Sequence, residues 1–244
     1  MKNSNPKYHI GCSGFYNTDW KGSLYPADSE NKNFLKLYSQ IFDIVEINST
    51  FYRRPTKKTL QKWIDETPDD FKFFIKIPKT ISHQKPFENK KEEISEFCAY
   101  IKTHLGGNLA GFLFQFPPSF HYTSENMNWL KENLPKDDLT VIEFRHISWW
   151  DAEVFEIFTA KEWIFSGSSF PGKIPEDVIV TNSKIGYYRL HGKPTLYKSP
   201  YSEEFLQDLA KKIKAADQEF YLMFNNTWGT AAVENSLYLK KILK

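Results

Sequence analysis

The chain of 244 residues has only two cysteines, Cys12 and Cys98, and they lie far apart. Two distant cysteines form neither a disulfide framework nor a paired-cysteine metal motif. No run approaches the roughly 18 apolar residues that a membrane-spanning helix needs. The amino terminus has no long apolar stretch of the kind found in a signal peptide. We therefore expect a reduced, cytoplasmic protein that does not enter a membrane.

A large excess of either charge is also missing. Lysine and arginine number 32 and aspartate and glutamate 30, which gives a formal net charge of +2. So small an excess does not by itself argue for nucleic-acid binding. Aromatic residues, in contrast, make up 17% of the chain. Some of these rings must therefore reach the surface or line a cleft.

Eight short apolar runs alternate with helical patterns along the chain. The runs cover 9–14, 42–48, 71–78, 110–117, 139–145, 162–169, 185–192 and 219–225. Several are apolar at nearly every position, which is typical of parallel strands covered on both faces. Most are bounded by Gly, Pro, Asn or Ser, which are common at strand ends.

Between these runs, apolar residues recur at helical spacing, first in the stretch 34–42. Six more segments share the pattern: 56–66, 88–104, 124–133, 151–159, 202–216 and 230–243. Their expected N-caps are Ser124, Asp151, Ser202 and Thr230. Residues 170–184 hold two prolines and no helical stripe. We expect an irregular crossover there, with a short extra strand at 178–181.

Eight strands and seven helices predict an α/β protein, a (β/α)8 TIM-type barrel with one irregular crossover between strands six and seven. We expect a single domain over residues 1–244. A doubly wound open sheet is the alternative, but GCSG at 11–14 is a poor match to the glycine-rich turn of that fold.

Polar residues collect where the strands end, at the face that carries the active site in such barrels. Because side chains alternate faces, Glu46 and Asn48 share a face, as do Glu143 and Arg145, and Arg189 and His191. We expect all three pairs to point inward, since an outward charge would press against the helices. The other strands contribute Ser13, Lys76, Gln115, Ser166 or Ser168, Asn225 and Asn226. The alternative is a structural network of ion pairs and amides that fills the barrel mouth.

Seven blocks of the chain follow one another in the order IGCSGF, VEINSTFYR, FKFFIKIPKTISH, FLFQFPPSF, VIEFRHISWW, YYRLHGK and FNNTWGTAAVENSLYLKK. They resemble the successive blocks of the YecE-like family, also called domain-of-unknown-function family seventy-two, over nearly the whole chain. The resemblance implies a TIM-barrel-like fold and no settled activity. The residues that match the family's blocks are Glu46, Asn48, Lys76, His83, Gln115, Glu143, Arg145, Arg189, His191, Asn225 and Asn226. The segment NNTWGT is more aromatic than the family's usual segment, which leaves the role of Trp228 open.

Three inward cations against two carboxylates favour an anionic ligand, since arginine binds carboxylate or phosphate with a bidentate fork. The loops at this face carry Trp20, Phe51, Tyr52, Trp149, Trp150 and Trp228. Such rings either stack on a sugar or base or pack the loops onto the barrel.

Glu143 is the expected general base and His191 the expected acid or proton shuttle. Glu46 and Glu143 also resemble a glycosidase pair, which needs a separation of roughly 5 to 9.5 Å.

His83, His121, His146 and His191 all fall at or after strand ends, but without the spacing of a metal motif. We expect no metal and no other cofactor.

Three functions stay open at the level of sequence. The first is a hydrolase or isomerase that acts on a small anionic, ring-bearing ligand such as a sugar phosphate or nucleotide. The second is a nucleic-acid-binding protein, and the third is a binding module without catalysis. The sequence does not specify the oligomeric state.

Overall fold

The structure, a computed structural model, describes residues 7–84, 89–135, 139–176, 178–180 and 185–244. The described part contains one sheet of eight parallel strands. The strands are β1 (Tyr8–Cys12), β2 (Ile44–Ile47), β3 (Lys72–Lys76), β4 (Leu109–Gln115), β5 (Thr140–Glu143), β6 (Ile164–Ser169), β7 (Ile185–Leu190) and β8 (Glu219–Phe224). Each lies at one of the predicted runs.

The strands pair in the order β1-β8-β7-β6-β5-β4-β3-β2. An isolated parallel bridge between Ser13 and Glu46 joins the two ends of this order. The sheet therefore forms a nearly closed barrel, and the predicted TIM-type fold is confirmed. That residues 1–244 form one domain stays a prediction.

A tyrosine completes the seam between β1 and β2. The Tyr38 hydroxyl accepts a hydrogen bond from the Cys12 backbone N–H at 2.7 Å and donates one to the Ile44 carbonyl oxygen at 3.0 Å. A Cβ added at Gly11 would collide with the same carbonyl oxygen. A missing side chain and an inserted hydroxyl thus let the two strands approach without leaving these buried backbone groups unpaired.

Helices between the strands lie outside the barrel. They are α1 (Phe34–Tyr38), α2 (Lys57–Asp65), α3 (Lys79–Ser82), α4 (Lys91–Leu105), α5 (Ser124–Asn133), α6 (Ala152–Ala160), α7 (Glu203–Ala216) and α8 (Ala231–Leu243). The short α3 is an addition to the seven predicted helices. The helix expected over 88–104 begins at Lys91, and position 88 lies outside the described residues.

Helix starts follow local capping chemistry, with one correction. Asp151 and Ser202 are the N-caps of α6 and α7, as predicted. The prediction of Ser124 was wrong by one residue, because the Thr123 hydroxyl accepts the hydrogen bond from the first turn of α5. Thr230 precedes α8, but its side chain makes no capping hydrogen bond.

The crossover between β6 and β7 is irregular, as predicted. Residues 170–176 and 178–180 form neither helix nor strand, so the extra strand expected at 178–181 is wrong for its first three residues. Its fourth residue, Thr181, lies outside the described part.

No helix in the described ranges is long and apolar enough to cross a membrane.

Two apolar layers hold the barrel together. The larger lies between the strands and the helices and includes Ile142 and Phe144. The smaller fills the barrel interior with Ile44, Phe74, Leu113, Val141, Ile164, Tyr187, Tyr221 and Met223. Because side chains alternate along a strand, residues two positions further on point into the same interior, nearer the carboxyl face.

Candidate ligand-binding site at the carboxyl face

The barrel interior changes from apolar to polar within two residues of each strand. Val141 is followed by Glu143 on the same face of β5, and Tyr187 by Arg189 on β7. By this alternation the interior residues at the polar level are Glu46, Lys76, Gln115, Glu143, Ser166, Arg189 and Asn225. Strands from all sides of the barrel therefore deliver polar groups to one level, as the sequence predicts.

Arg189 lies at the centre of this level and contacts both carboxylates. Its Nε donates to Glu46 Oε2 at 2.8 Å, its Nη2 donates to Glu46 Oε1 at 2.5 Å, and its Nη1 donates to Glu143 Oε2. Burial by itself lowers the pKa of Arg189, but the charges of Glu143 and Glu46 outweigh burial and raise it. Arg189 is therefore a charged residue already engaged by two protein carboxylates.

Glu46 receives two further hydrogen bonds. The Ser13 hydroxyl donates to Oε1 at 2.5 Å and the Tyr187 hydroxyl donates to Oε2 at 2.8 Å. Burial, together with the charge on Glu46, raises the pKa of Tyr187 well above its ordinary value, so the phenol keeps its proton. Each Glu46 oxygen thus accepts two hydrogen bonds, which leaves this carboxylate little capacity for a ligand.

Glu143 is held between two guanidinium groups. Its Oε1 lies 2.5 Å from Arg145 Nε, in an ion pair whose N–H is not aimed at the oxygen. Burial raises the pKa of Glu143, but the charges of Arg145 and Arg189 outweigh burial and hold it well below the usual range. Glu143 is therefore an ionised carboxylate with low affinity for a proton.

His191, which directly follows β7, contacts both Glu143 and Arg145. Its Nε2 lies 3.2 Å from Glu143 Oε1 and 2.9 Å from Arg145 Nη2, and its Nδ1 lies 2.9 Å from Asn225 Nδ2. Burial, followed by the charge of Arg145, lowers the pKa of His191 well below its ordinary value. Arginine has only donors, so Nε2 accepts from Arg145 in one neutral tautomer and donates to Glu143 in the other.

We call Glu46, Glu143, Arg145, Arg189 and His191 the ionic cluster. The Arg145 side chain is 8% exposed and the other four side chains are fully buried. Two carboxylates and two guanidinium groups balance in charge when His191 is neutral. The Arg189 guanidinium bridges Glu46 and Glu143, so the two carboxylates do not flank an open sugar site.

Lys76 lies outside these ion pairs. Its Nζ donates to Gln115 Oε1 at 3.0 Å and lies 4.2 Å from the centre of the Phe51 ring. Among the described residues, no carboxylate oxygen lies within 4.0 Å of this amine. Burial, followed by the charge of Arg189, lowers the pKa of Lys76 to about 8.

Gln115 connects Lys76 to His83. The Gln115 Nε2 donates to the Phe116 carbonyl oxygen at 2.9 Å and lies 3.4 Å from His83 Nε2. Burial, followed by the charge of Lys76, lowers the pKa of His83 to about 4. His83 is thus a neutral neighbour of Lys76 at neutral pH.

A cavity of about 380 Å³ opens at the carboxyl face. It is lined by Ser13, Asn48, Phe51, Tyr52, Lys76, Tyr197, Asn225, Thr227 and Trp228. Among the described residues of this lining, Lys76 is the only amine and none is a carboxylate. The Asn48 Oδ1 is buried without a hydrogen-bond partner. The cavity therefore offers one cation, several amides and hydroxyls, and four aromatic rings to an incoming molecule.

Three of the six loop rings noted in the sequence line this cavity, namely Phe51, Tyr52 and Trp228. Trp20 and Trp149 are instead in the apolar core, where each indole N–H donates to a backbone carbonyl oxygen. For these two rings the second of the two alternatives holds, since they pack their loops onto the barrel. Trp150 packs partly buried against the same core.

Tyr197 lines the cavity, but the sequence did not predict this position. Tyr197 lies in a loop, where the side-chain alternation of a strand does not indicate which way a residue points. Its backbone adopts a left-handed conformation with φ of 65°. The backbone N–H of Tyr197 donates to the His191 carbonyl oxygen at 2.6 Å, and its own carbonyl oxygen accepts from the Trp228 N–H at 3.0 Å. A non-glycine residue held in this conformation is uncommon and clusters at functional sites.

The remaining candidates lie away from the cavity. Asn226 is buried and donates to the Ser199 carbonyl oxygen at 3.2 Å and to Asn235 at 3.1 Å. His121 and His146 stack on each other with ring centres 3.9 Å apart. Within the described part of the chain, no three His, Cys, Asp or Glu side chains are grouped to hold a metal ion.

A larger depression of about 720 Å³ adjoins the cavity through Phe51 and Tyr52. It lies over α3 and α4 rather than at the barrel mouth, and its lining includes the ion pair of Arg54 with Glu96 at 2.9 Å. Its described lining comes from the loops after β2 and β3 and from α3 and α4, and includes no residue of a strand. We therefore place the candidate site in the smaller cavity, where side chains converge from several strands.

The family model described as "Protein of unknown function DUF72" matches residues 9–244. The chain belongs to this DUF72 family. UPF0759 protein YunF of Bacillus subtilis is 29% identical over 96% of this chain and 94% of its own length. UPF0759 protein YecE of Escherichia coli is 30% identical over 113 residues, which are 46% of this chain and 41% of that protein.

Solved DUF72 structures have the same fold. A DUF72 family protein of Thermotoga maritima has a TM-score of 0.86 and 31% identity, with 97% of this chain and 98% of that chain covered. A second, from Enterococcus faecalis, has a TM-score of 0.82 at 22% identity and covers 97% of this chain and 95% of its own. The family resemblance predicted from the sequence is confirmed, and the family description states no activity.

Proposed function

We propose that the cavity binds a small anionic, ring-bearing ligand, of the class of a sugar phosphate or nucleotide. The observation that carries this proposal is the cavity lining, whose described residues combine four aromatic rings and one lysine with no carboxylate. Hydrolysis or isomerisation of the ligand is the reaction class that we propose for the site.

Exposed rings support a ring-bearing ligand. Tyr52 is 82% exposed, Trp228 67% and Tyr197 46%. Large rings that are held at the edge of a cavity without being covered offer flat apolar surface to a ligand. Stacking of one base or sugar on such a ring contributes about 1–3 kcal/mol.

The charge of the lining supports an anion. The carboxylates of Glu46 and Glu143 are fully buried and paired with arginine, so they do not repel an anion that enters the cavity. Lys76 supplies the positive charge at its wall, and Lys198 adds a cation 4.5 Å from the Trp228 ring centre. The amides of Asn48 and Asn225 supply hydrogen bonds that orient the ligand.

Size favours a small molecule over a polymer. A cavity of about 380 Å³ falls within the range typical of small-molecule sites, roughly 300–1,000 Å³. Nucleic-acid binding stays the alternative, because Arg53, Arg54 and Lys79 line the adjoining depression. Several phosphate contacts there would make the affinity fall steeply with salt, whereas one phosphate beside Lys76 would not.

Within this proposal the residues of the ionic cluster act through their neighbours. Glu143, predicted as a base, and His191, predicted as an acid, hold Arg145 and Arg189 in place rather than contact the ligand. Arg145 and Arg189 are neutralised by Glu143 and Glu46, so Lys76 supplies the net positive charge and no arginine fork binds the ligand directly. We further propose the cytoplasm as the compartment, since both cysteines are free and buried.

The test compares three probes by titration calorimetry, each at a low and a high salt concentration. Adenosine monophosphate carries both ring and anion, adenosine only the ring, and inorganic phosphate only the anion. We expect adenosine monophosphate to bind more tightly than either part. A short single-stranded oligonucleotide that binds with a steep salt dependence, when adenosine monophosphate does not bind, would instead support the nucleic-acid alternative.

Trp228→Ala tests the cavity itself. Loss of one stacking ring predicts a weakening of about 5- to 150-fold, which corresponds to the 1–3 kcal/mol of one stacked ring. Tyr16→Ala is the matched control, because Tyr16 is 66% exposed and does not line the cavity. Equal affinities of wild type and Trp228→Ala for adenosine monophosphate would show that the ligand does not bind in this cavity.

A further inference from the structure

Lys76 occupies the cavity wall in a way that suits covalent chemistry. Its amine is within hydrogen-bond distance of Gln115 and over the Phe51 ring, and no carboxylate in the described part of the chain pairs with it. A lysine that serves only as a structural cation is expected to be paired with a carboxylate when it is mostly enclosed. Here both nearby carboxylates are engaged by Arg189 instead.

We propose that Lys76 forms an imine with a ligand that carries an aldehyde or ketone group, such as an open-chain sugar phosphate. This inference rests on the proposed function, because it names the chemical class of the ligand for the same cavity. The wall around the amine contains amides, hydroxyls and rings. None of these groups competes with the amine as a nucleophile near neutral pH.

The condensation balances without a further reactant. The neutral amine of Lys76 attacks the carbonyl carbon, and a C–N bond forms as the carbonyl π bond breaks. The two amine hydrogens and the carbonyl oxygen leave as one water molecule, and a C=N bond remains. No group is oxidised or reduced. The imine then withdraws electrons from the adjacent carbon, which eases loss of a proton there, as an isomerisation would need.

The surroundings of Lys76 also supply the neutral amine that this step requires. Burial and the charge of Arg189 lower its pKa to about 8. At pH 7 the neutral fraction is then about 200 times that of an exposed lysine with a pKa near 10.4. A less basic amine is intrinsically a weaker nucleophile, and this loss is on the order of tenfold. The net advantage therefore stays above about tenfold.

The test uses pyridoxal 5′-phosphate as the probe, because it has an aromatic ring, a phosphate and an aldehyde. The full chain is incubated with a limiting amount at pH 7, reduced with borohydride and mapped by mass spectrometry of its peptides. We expect Lys76 to be labelled at least tenfold faster than Lys79, which is exposed and lies outside the cavity. Lys76→Met should lose this rapid labelling, whereas Lys79→Met should keep it.

Pyridoxine 5′-phosphate, which has an alcohol in place of the aldehyde, separates the two proposals. If it binds and Lys76 is labelled no faster than Lys79, the imine proposal is wrong and the proposed function stands. If neither compound binds and Lys76 is not labelled, both proposals fail. Lys76→Arg keeps the cation but cannot form an imine, so it should bind pyridoxine 5′-phosphate and lose rapid labelling. Rapid labelling at another lysine in that variant would also overturn the assignment to Lys76.

Discussion

The Arg189 guanidinium and the Glu46 carboxylate form two parallel hydrogen bonds across the barrel interior, at 2.8 and 2.5 Å. Both side chains are fully buried. Bidentate pairs of this kind fix direction as well as charge, because the planar fork of arginine matches the two carboxylate oxygens. The third bond of Arg189, to Glu143, links β2, β5 and β7 through one side chain.

Replacement of Arg189 by lysine should therefore not be conservative. A lysine presents a single ammonium group, which cannot contact both oxygens of Glu46 and also reach Glu143. We expect Arg189→Lys to lower the free energy of unfolding by about 3 kcal/mol, at the lower end of the range for a broken buried ion pair. Urea denaturation of both proteins measures the difference. A loss below about 1 kcal/mol would show that the cluster rearranges around lysine.

Glu143→Gln removes one carboxylate charge while it keeps the shape of the side chain. Arg145 and Arg189 then lack a counter-charge, so we expect a loss of about 3–5 kcal/mol at pH 7. Glu156→Gln, an exposed change on α6, should stay within about 0.5 kcal/mol. A cost below about 1 kcal/mol, together with loss of ligand binding or activity, would favour the role of Glu143 as a general base.

Acid should reduce the difference between wild type and Glu143→Gln. The pKa of Glu143 in the folded protein lies well below its usual range, and in the unfolded chain it is near 4.3. The stabilisation from ionised Glu143 is therefore complete above the unfolded pKa and is lost as the pH falls toward the folded one. Unfolding free energies of the two proteins at several pH values from 7 downward would check this trend. A difference that stays constant below about pH 4 would contradict it.

Lys76 predicts a trend of the same sign in a different window, at alkaline pH. Its pKa is about 8 in the folded protein and about 10.4 in an unfolded chain. Between these values the unfolded chain binds one more proton, so this residue makes the stability rise with pH. We expect wild type to gain stability relative to Lys76→Met from about pH 8 to pH 10, since the variant lacks the titrating amine. A pH-independent difference would mean that burial does not shift the pKa of Lys76.

The seam between β1 and β2 makes a separate stability prediction. Tyr38→Phe leaves the Cys12 N–H and the Ile44 carbonyl oxygen without their hydroxyl partner. An unsatisfied buried backbone group costs about 1–3 kcal/mol. Tyr16→Phe removes an exposed hydroxyl that contacts Asn31, and it should cost under about 0.5 kcal/mol. Thermal and urea unfolding that do not distinguish the two variants would show that the seam does not depend on the hydroxyl.

Much of the fold follows from local sequence patterns. The eight apolar runs are each long enough for a strand and too short for a helix, and the segments between them repeat at 3.6 residues. The short α3 has too few residues for a period to emerge. The N-cap of α5 was predicted one residue late because Thr123 and Ser124 carry the same capping chemistry.

Strand alternation also predicted which side chains meet in the barrel. Glu46, Glu143 and Arg189 each follow an inward apolar residue by two positions, so their convergence depends on the strand period alone. Rings in loops have no such period. The sequence therefore left open whether Trp20 and Trp149 line the cavity or pack in the core, and it did not indicate Tyr197, which does line the cavity.

Sequence by itself therefore determined the fold and the set of ionisable groups at the carboxyl face, because both follow from periodicity along each strand. Only the tertiary structure decided how those charges pair. Pairing depends on distances across the barrel, and Arg189 is close enough to form ion pairs with both Glu46 and Glu143. Lys76 consequently faces the cavity with the Gln115 amide as its hydrogen-bond partner among the described residues, an arrangement that the sequence alone does not reveal.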